Sequence, residues 1–245
     1  IFDSYACRKG KGTHAAIDRA QEFGKKYPYV LKCDIEHFFP RVDHQVLYEH
    51  FTHTLADQQT LRLCKLILDS GAGIHADVPP AYLPNDDLFT ALRPRGLPIG
   101  NLTSQFWANV YLNPLDHFIK RELKCPAYLR YVDDSLLFAE NKNNLHEWRL
   151  AVIEFLASFR LTLHEAEAQV FPTQTGIPFL GWRIYPDHLR LRRRNGVAFQ
   201  RRFVNLRRDY AKGNITRERL DASVRGWVAH VGHGQTWGLR RSLLS

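Results

Sequence analysis

The sequence predicts an α+β catalytic core followed by a small, basic, helical lobe, and three observations predict it. Short apolar runs with strand character alternate with segments whose apolar residues recur at helical spacing. Two adjacent acids, Asp133 and Asp134, interrupt an apolar stretch where a hairpin would turn. Positive charge gathers at one end: from Arg183 onward fifteen Lys and Arg stand against four Asp and Glu, whereas the preceding residues carry a net −2 of the total +9.

The opening segment 5–12 is polar, basic and glycine-containing, and Thr13 is placed to cap a helix reaching about residue 23. Residues 29–35 read as a buried strand containing Asp34. Apolar-periodic helices are expected over about 43–52 and 57–68, then a Gly-, Pro- and Asp-rich irregular stretch over 70–92. A turn cluster at 96–101 opens a long helix over 103–121, with Phe106, Val110, Leu115 and Phe118 at helical spacing. Strands over 128–132 and 135–139 flank the paired acids. A helix over about 144–159, strands over 161–163, 169–171 and 179–185, and basic helices over 197–211 and 216–230 complete the order. No internal repeat or low-complexity segment is evident.

At 44% hydrophobic and 24% charged residues, the composition argues against disorder. The apolar runs break too soon for a membrane span, and no signal peptide is evident. A chain that starts at Ile1 and contains no Met reads as a piece of a longer protein. Cys7, Cys33, Cys64 and Cys125 are far apart, without the paired spacing of a zinc site or disulfide framework, and fit a reduced cytosolic protein.

Adjacent carboxylates in an apolar setting repel one another, and a metal ion relieves the repulsion; an ordinary Asp-rich turn is the plain alternative. Asp34 supplies a third acid. If its strand lies beside the hairpin, Asp34, Asp133 and Asp134 converge at one edge of a sheet, where hard oxygen ligands suit Mg²⁺; a turn or helix cap is the alternative. Two such ions would serve in-line phosphoryl transfer, one activating an attacking hydroxyl and one neutralising the leaving pyrophosphate. In the basic lobe, Arg192, Arg193, Arg194, Arg201, Arg202, Arg207 and Arg208 suit a polyanion, with a merely solvated helix as the alternative.

Three blocks in order resemble reverse transcriptases. Leu31-Lys32-Cys33-Asp34-Ile35-Glu36-His37-Phe38-Phe39 is similar to their first palm motif, Arg95-Gly96-Leu97-Pro98-Ile99-Gly100-Asn101-Leu102-Thr103-Ser104-Gln105 to the second, and Tyr131-Val132-Asp133-Asp134 to the third. Residues 5–14 resemble a fingers segment, and Phe179-Leu180-Gly181-Trp182 resembles the primer grip. The resemblance implies a right-hand polymerase with partial fingers over 1–28, a palm of antiparallel sheet and helices over 29–185, and a basic helical thumb over 186–245. It implies Asp34, Asp133 and Asp134 as catalytic, metal-binding aspartates, with the Ile35 carbonyl as a further ligand, and two Mg²⁺ ions for which Mn²⁺ can substitute. Phe39 takes the steric-gate position, whose ring excludes a 2′-hydroxyl. Arg8, Lys9 and Lys11, together with Ile99, Gly100 and Gln105, lie at the incoming nucleotide. Gly181 and Trp182 hold the primer, with ordinary core packing of that strand as the alternative, and the thumb arginines track backbone phosphates.

Ile99 before Gly100, with Ser104-Gln105 closing the block, is similar to the diversity-generating retroelement branch, in which copying of template adenines is error-prone. Group II intron-like and phage-defence reverse transcriptases, or a catalytically weak nucleic-acid-binding relative, are the alternatives. The implied partners are template RNA, a DNA or RNA primer, deoxynucleoside triphosphates and a basic accessory protein, with no membrane. The implied setting is the cytoplasm, the gene being bacterial, archaeal or phage-borne. One departure stands out: where polymerases often place a lysine that protonates pyrophosphate, this chain reads Leu163-His164-Glu165-Ala166-Glu167-Ala168-Gln169, so the general acid is unassigned.

Overall fold

A computed structural model describes residues 1–83 and 86–244; positions 84 and 85, within the irregular stretch expected over 70–92, lie outside the described residues. The chain forms two compact units, Ile1–Ala16 with Tyr27–Phe171, and Ile17–Lys26 with Pro172–Ser245. The division passes through helix α1 (Thr13–Lys26).

The first unit is built on a four-stranded sheet, in the order β2-β3-β1-β4, comprising β1 (Tyr29–Cys33), β2 (Ala127–Tyr131), β3 (Asp134–Ala139) and β4 (Val170–Pro172). β3 pairs antiparallel with both β1 and β2. Val30, Leu31 and Cys33 of β1 and Leu136 to Ala139 of β3 are all buried, so the two inner strands are apolar on both faces. Helices α2 (Phe38–Arg41), α3 (His44–Thr54), α4 (Gln58–Ser70), α5 (Leu88–Ala91), α6 (Leu102–His117) and α7 (Lys142–Ser158) complete this unit. Asp43 and Asp57 cap α3 and α4, their carboxylates accepting from amides of the first turn. Pro114 lies inside α6, which passes into a π-helical turn at Phe118–Glu122, so the long expected helix changes its hydrogen-bond pattern before its end. Leu47, Phe51, Trp107, Tyr111 and Leu112 carry the helical side of the core, where α3 packs on α6.

The second unit holds an antiparallel sheet of β5 (Ile177–Phe179), β6 (Trp182–Ile184) and β7 (Leu189–Leu191), followed by α8 (Arg193–Ala211), α9 (Arg217–Val231) and α10 (Trp237–Leu244). Residues 179–185, expected as one strand, are instead a hairpin. Leu180 and Gly181 both have positive φ, +46° and +85°, and reverse the chain in two residues. Residues 161–163 likewise form no strand; Leu163 makes a single bridge to Ile35. Among the described residues no helix is long and apolar enough to cross a membrane.

Candidate active site

The register of the first sheet places the acids. Cys33 pairs with Ser135, and Tyr131 pairs with Asp134 across the hairpin. One step beyond the Cys33–Ser135 pair sets Asp34 beside Asp134, while Asp133 occupies the intervening hairpin turn. Val132, the other turn residue, has φ +56°, a region where glycine is usual and a β-branched residue is strained by about 1–3 kcal/mol.

A buried network holds that turn. The Arg130 guanidinium donates to the Val132 carbonyl at 2.9 Å, to Asn109 Oδ1 at 3.2 Å, and to both Asp116 carboxylate oxygens at 2.7 Å. The Tyr128 hydroxyl donates to Asp116 Oδ1 at 2.8 Å. Arg130 is 1% exposed and Asp116 2%, so neither charge has water to fall back on.

Burial pushes the Asp133 carboxyl up to about 6, with Asp134 and Asp34 adding to the rise. Asp134 is raised as well, again chiefly by burial, with Lys32 opposing and Asp34 reinforcing the effect. Lys32 Nζ lies 3.3 Å from Asp134 Oδ1, an ion pair without the alignment of a hydrogen bond, so that buried oxygen has no hydrogen-bond partner. Hard carboxylate donors, mutually repelling and offset only by the Lys32 ammonium, fit a hard divalent cation. Among the described residues no three His, Cys, Asp or Glu side chains close on one point, so the fit lies in donor chemistry and strand register. Ile35 follows with its side chain buried and its backbone bridged to Leu163.

The second block is tied to the segment after Asp34. The Leu97 amide donates to the Phe39 carbonyl at 2.8 Å, the Gly96 amide to the Val42 carbonyl at 2.9 Å, and His44 Nε2 meets the Gly96 carbonyl at 2.7 Å. Phe39 is half-buried, edge-on to Phe38. Beyond this anchor Ile99 is 70% exposed, and Gly100, with φ +99°, has open space around it. Gln105 on α6 accepts from Cys7 Sγ at 3.1 Å, and Asn109 donates to the Ala6 carbonyl at 3.0 Å, so α6 holds the basic opening loop. Arg8 in that loop donates to the carbonyls of Ile1, Phe2 and Ser4, while Lys11 lies over the Phe2 ring at 3.4 Å. Two of the three predicted nucleotide-side cations thus make local contacts; Lys9 is exposed.

In the second unit, the Gly181 carbonyl accepts from Asn195 Nδ2 at 3.0 Å and from the Arg192 amide at 3.1 Å. Trp182 is fully buried and its ring packs against His230 and His233. Arg193, Arg194, Arg201, Arg202, Arg207 and Arg208 are exposed on α8, and Arg192 is its N-cap. Arg194, Arg201 and Arg208, seven residues apart, share one stripe along the helix. Its opposite side buries Phe199, stacked on Trp227 at 3.9 Å.

Residues 1–184 match the family model described as Reverse transcriptase (RNA-dependent DNA polymerase). The chain belongs to the reverse transcriptase family. Among solved structures, this reverse transcriptase domain is similar to apo telomerase from Candida tropicalis truncated from its C-terminal domain, at 14% identity and TM-score 0.54, covering 78% of this chain and 41% of that one. It is also similar to telomerase from Candida albicans in complex with a TWJ fragment of telomeric RNA, at 13% identity and TM-score 0.53, covering 78% and 35%. The chain therefore spans about two-fifths of the length of the telomerase it matches over 41%. At these identities the likeness concerns the fold, and it agrees with the α+β, right-hand polymerase architecture expected from the motifs. No curated protein matches the chain.

Three residues that support the candidate site, Arg130, Asp116 and Lys32, are not marked out by the sequence pattern. Arg130 and Lys32 are charged residues inside strands that are otherwise buried, and Asp116 lies in an apolar helix face. A charge at a position that should be buried was the available signal, and it identifies no partner.

Proposed function

We propose that this chain carries out RNA-templated DNA synthesis by metal-dependent nucleotidyl transfer. The observation that supports it best is the strand register that sets Asp34 beside Asp134 at the hairpin bearing Asp133. Asp34, Asp133 and Asp134 would hold two Mg²⁺ ions, with Mn²⁺ able to substitute, and the Ile35 carbonyl would contribute. When bound, the ions supply activation of the primer hydroxyl and neutralisation of the leaving pyrophosphate.

The chain's own residues supply the rest of this reading. Phe39, fixed through its carbonyl to Leu97, excludes a 2′-hydroxyl. Arg8, Lys9 and Lys11 meet the triphosphate, and the exposed Ile99–Gly100 turn and Gln105 line the nascent pair. The Gly181 turn seats the primer, and the arginines of α8 track backbone phosphates. Residues 1–28, 29–185 and 186–245 serve as fingers, palm and thumb, acting on template RNA, a primer and deoxynucleoside triphosphates. Primer extension on an RNA template with Mg²⁺ tests this. Asp133→Ala and Asp134→Ala should each reduce extension to background, and retained extension in either would refute the metal assignment.

The finer reading is error-prone copying in a diversity-generating retroelement, with a basic accessory protein as partner. It is supported by Ile99, an apolar residue that cannot hydrogen-bond to a nascent pair. Ile99→Gln should lower misincorporation opposite template adenine, read by sequencing the cDNA; an unchanged adenine error frequency would remove this reading while leaving the polymerase assignment intact.

A further inference from the structure

We infer that Lys32 is a resident counter-cation of the carboxylate site, holding Asp134 while no divalent ion is bound and shifting to Glu167 when one enters. The inference rests on the proposed metal site.

Lys32 pairs with Leu136 across β1 and β3, two positions from Asp134, and alternation along the strands puts Lys32, Asp34 and Asp134 on one face. Its ammonium is forked, 3.3 Å from Asp134 Oδ1 and 3.6 Å from Glu167 Oε2. Its side chain is only 15% exposed, so the long stem is confined and the ammonium has few other places to go. One of its two acidic partners is a proposed metal ligand; the other stands apart from that set. Glu167 is 54% exposed and belongs to a loop fastened to the site, because its amide donates to the His164 carbonyl at 2.9 Å and the His164 amide to the Asp34 carbonyl at 2.8 Å.

An ammonium and a divalent ion cannot both lie against one Asp134 oxygen without strong like-charge repulsion. Metal entry therefore includes the displacement of Lys32, and apparent metal affinity is the difference between two cations competing for one carboxylate. Glu167 lowers the cost of that displacement by offering the ammonium a second carboxylate within a short swing. This also gives a role to the loop in which the expected lysine is missing: its acid receives a lysine from the neighbouring strand.

The test is Mn²⁺ titration of the full chain without nucleic acid, followed by the electron paramagnetic resonance of free Mn²⁺. Lys32→Met should bind Mn²⁺ roughly five- to tenfold more tightly, the scale of one removed charge in a partly exposed site. Glu167→Gln should bind roughly two- to threefold more weakly. Lys32→Arg, which keeps the charge, should stay within about twofold of the parent. Unchanged or weaker binding in Lys32→Met with a parent-like circular dichroism spectrum overturns the inference, as does an equal gain in Lys32→Arg, which would make the effect one of packing. If Lys32→Met does not fold, Glu167→Gln decides, and parent-like affinity there overturns the inference. Asp134→Asn separates the two levels. Loss of binding in that variant with no change in Lys32→Met removes only the role of Lys32, whereas unchanged binding in Asp134→Asn removes the metal assignment as well.

Discussion

The acidic hairpin and the basic helix α8 carry opposite charges and opposite kinds of structural commitment. Asp133 and Asp134 sit on a strained turn whose carbonyl is held by Arg130, and Arg130 is held by Asp116 beneath the surface. Each member is held by the next, with almost no exposure to water. The arginines along α8 stand exposed on a helix anchored through Phe199 and Trp227. A connected, buried network fixes the positions of the hairpin carboxylates, as the proposed chemistry would require. Attraction to a repeating phosphate backbone needs only a sum of charges, and under the proposed function a solvated stripe would be enough for it.

The contrast can be broken most directly at Asp116. Asp116→Ala leaves Arg130 charged and buried without its main partner, and should lower stability by about 3–5 kcal/mol in denaturant unfolding. A loss below about 1 kcal/mol would mean that the network relaxes or admits water and is no more rigid than the basic helix.

Titration sharpens the comparison. The folded-state pKa of Asp133 is raised to about 6 from its ordinary 3.8, so between those values the folded chain holds a proton that the unfolded chain has lost. The metal-free parent should therefore lose stability as pH rises from about 4 to about 6. Asp133→Asn should lack that step and be more stable at pH 7 by about 1–2 kcal/mol, after allowance for partial exposure. Thermal unfolding in chelator from about pH 4 to pH 7 measures both, and identical pH profiles would show that burial at the hairpin imposes no cost on the charge.

The smallest effect on stability belongs to α8. Arg201→Gln with Arg208→Gln should change unfolding free energy by less than about 0.5 kcal/mol, yet reduce the slope of log affinity against log salt for RNA by about two. A large loss of stability, or an unchanged slope, would place these arginines in the fold and outside the nucleic-acid surface.

Much of this was legible along the chain. Asp43, Asp57 and Thr216 announce the starts of helices that form where expected, because an N-cap depends on a few adjacent residues. The apolar runs around Asp133 read as a hairpin because strand preference holds on both sides of the paired acids, although Val132 in the turn runs against local preference. The Phe179–Trp182 segment misleads because its apolar continuity hides a turn, with Leu180 adopting a left-handed conformation that no local preference predicts. The burial of Trp182 likewise depends on His230 and His233, about fifty residues away in sequence.

By itself, the sequence determined the family, the order of elements, the three acids and the end of the chain that is basic, because these depend on residue identity and short-range periodicity. Only the tertiary structure decided that Asp34 stands beside Asp134, that Arg130 and Asp116 hold the strained hairpin from within, and that Lys32 is shared between Asp134 and Glu167. Those relations are set by strand register and burial, which bring distant residues within a few ångströms and give their charges an energy that no local pattern encodes.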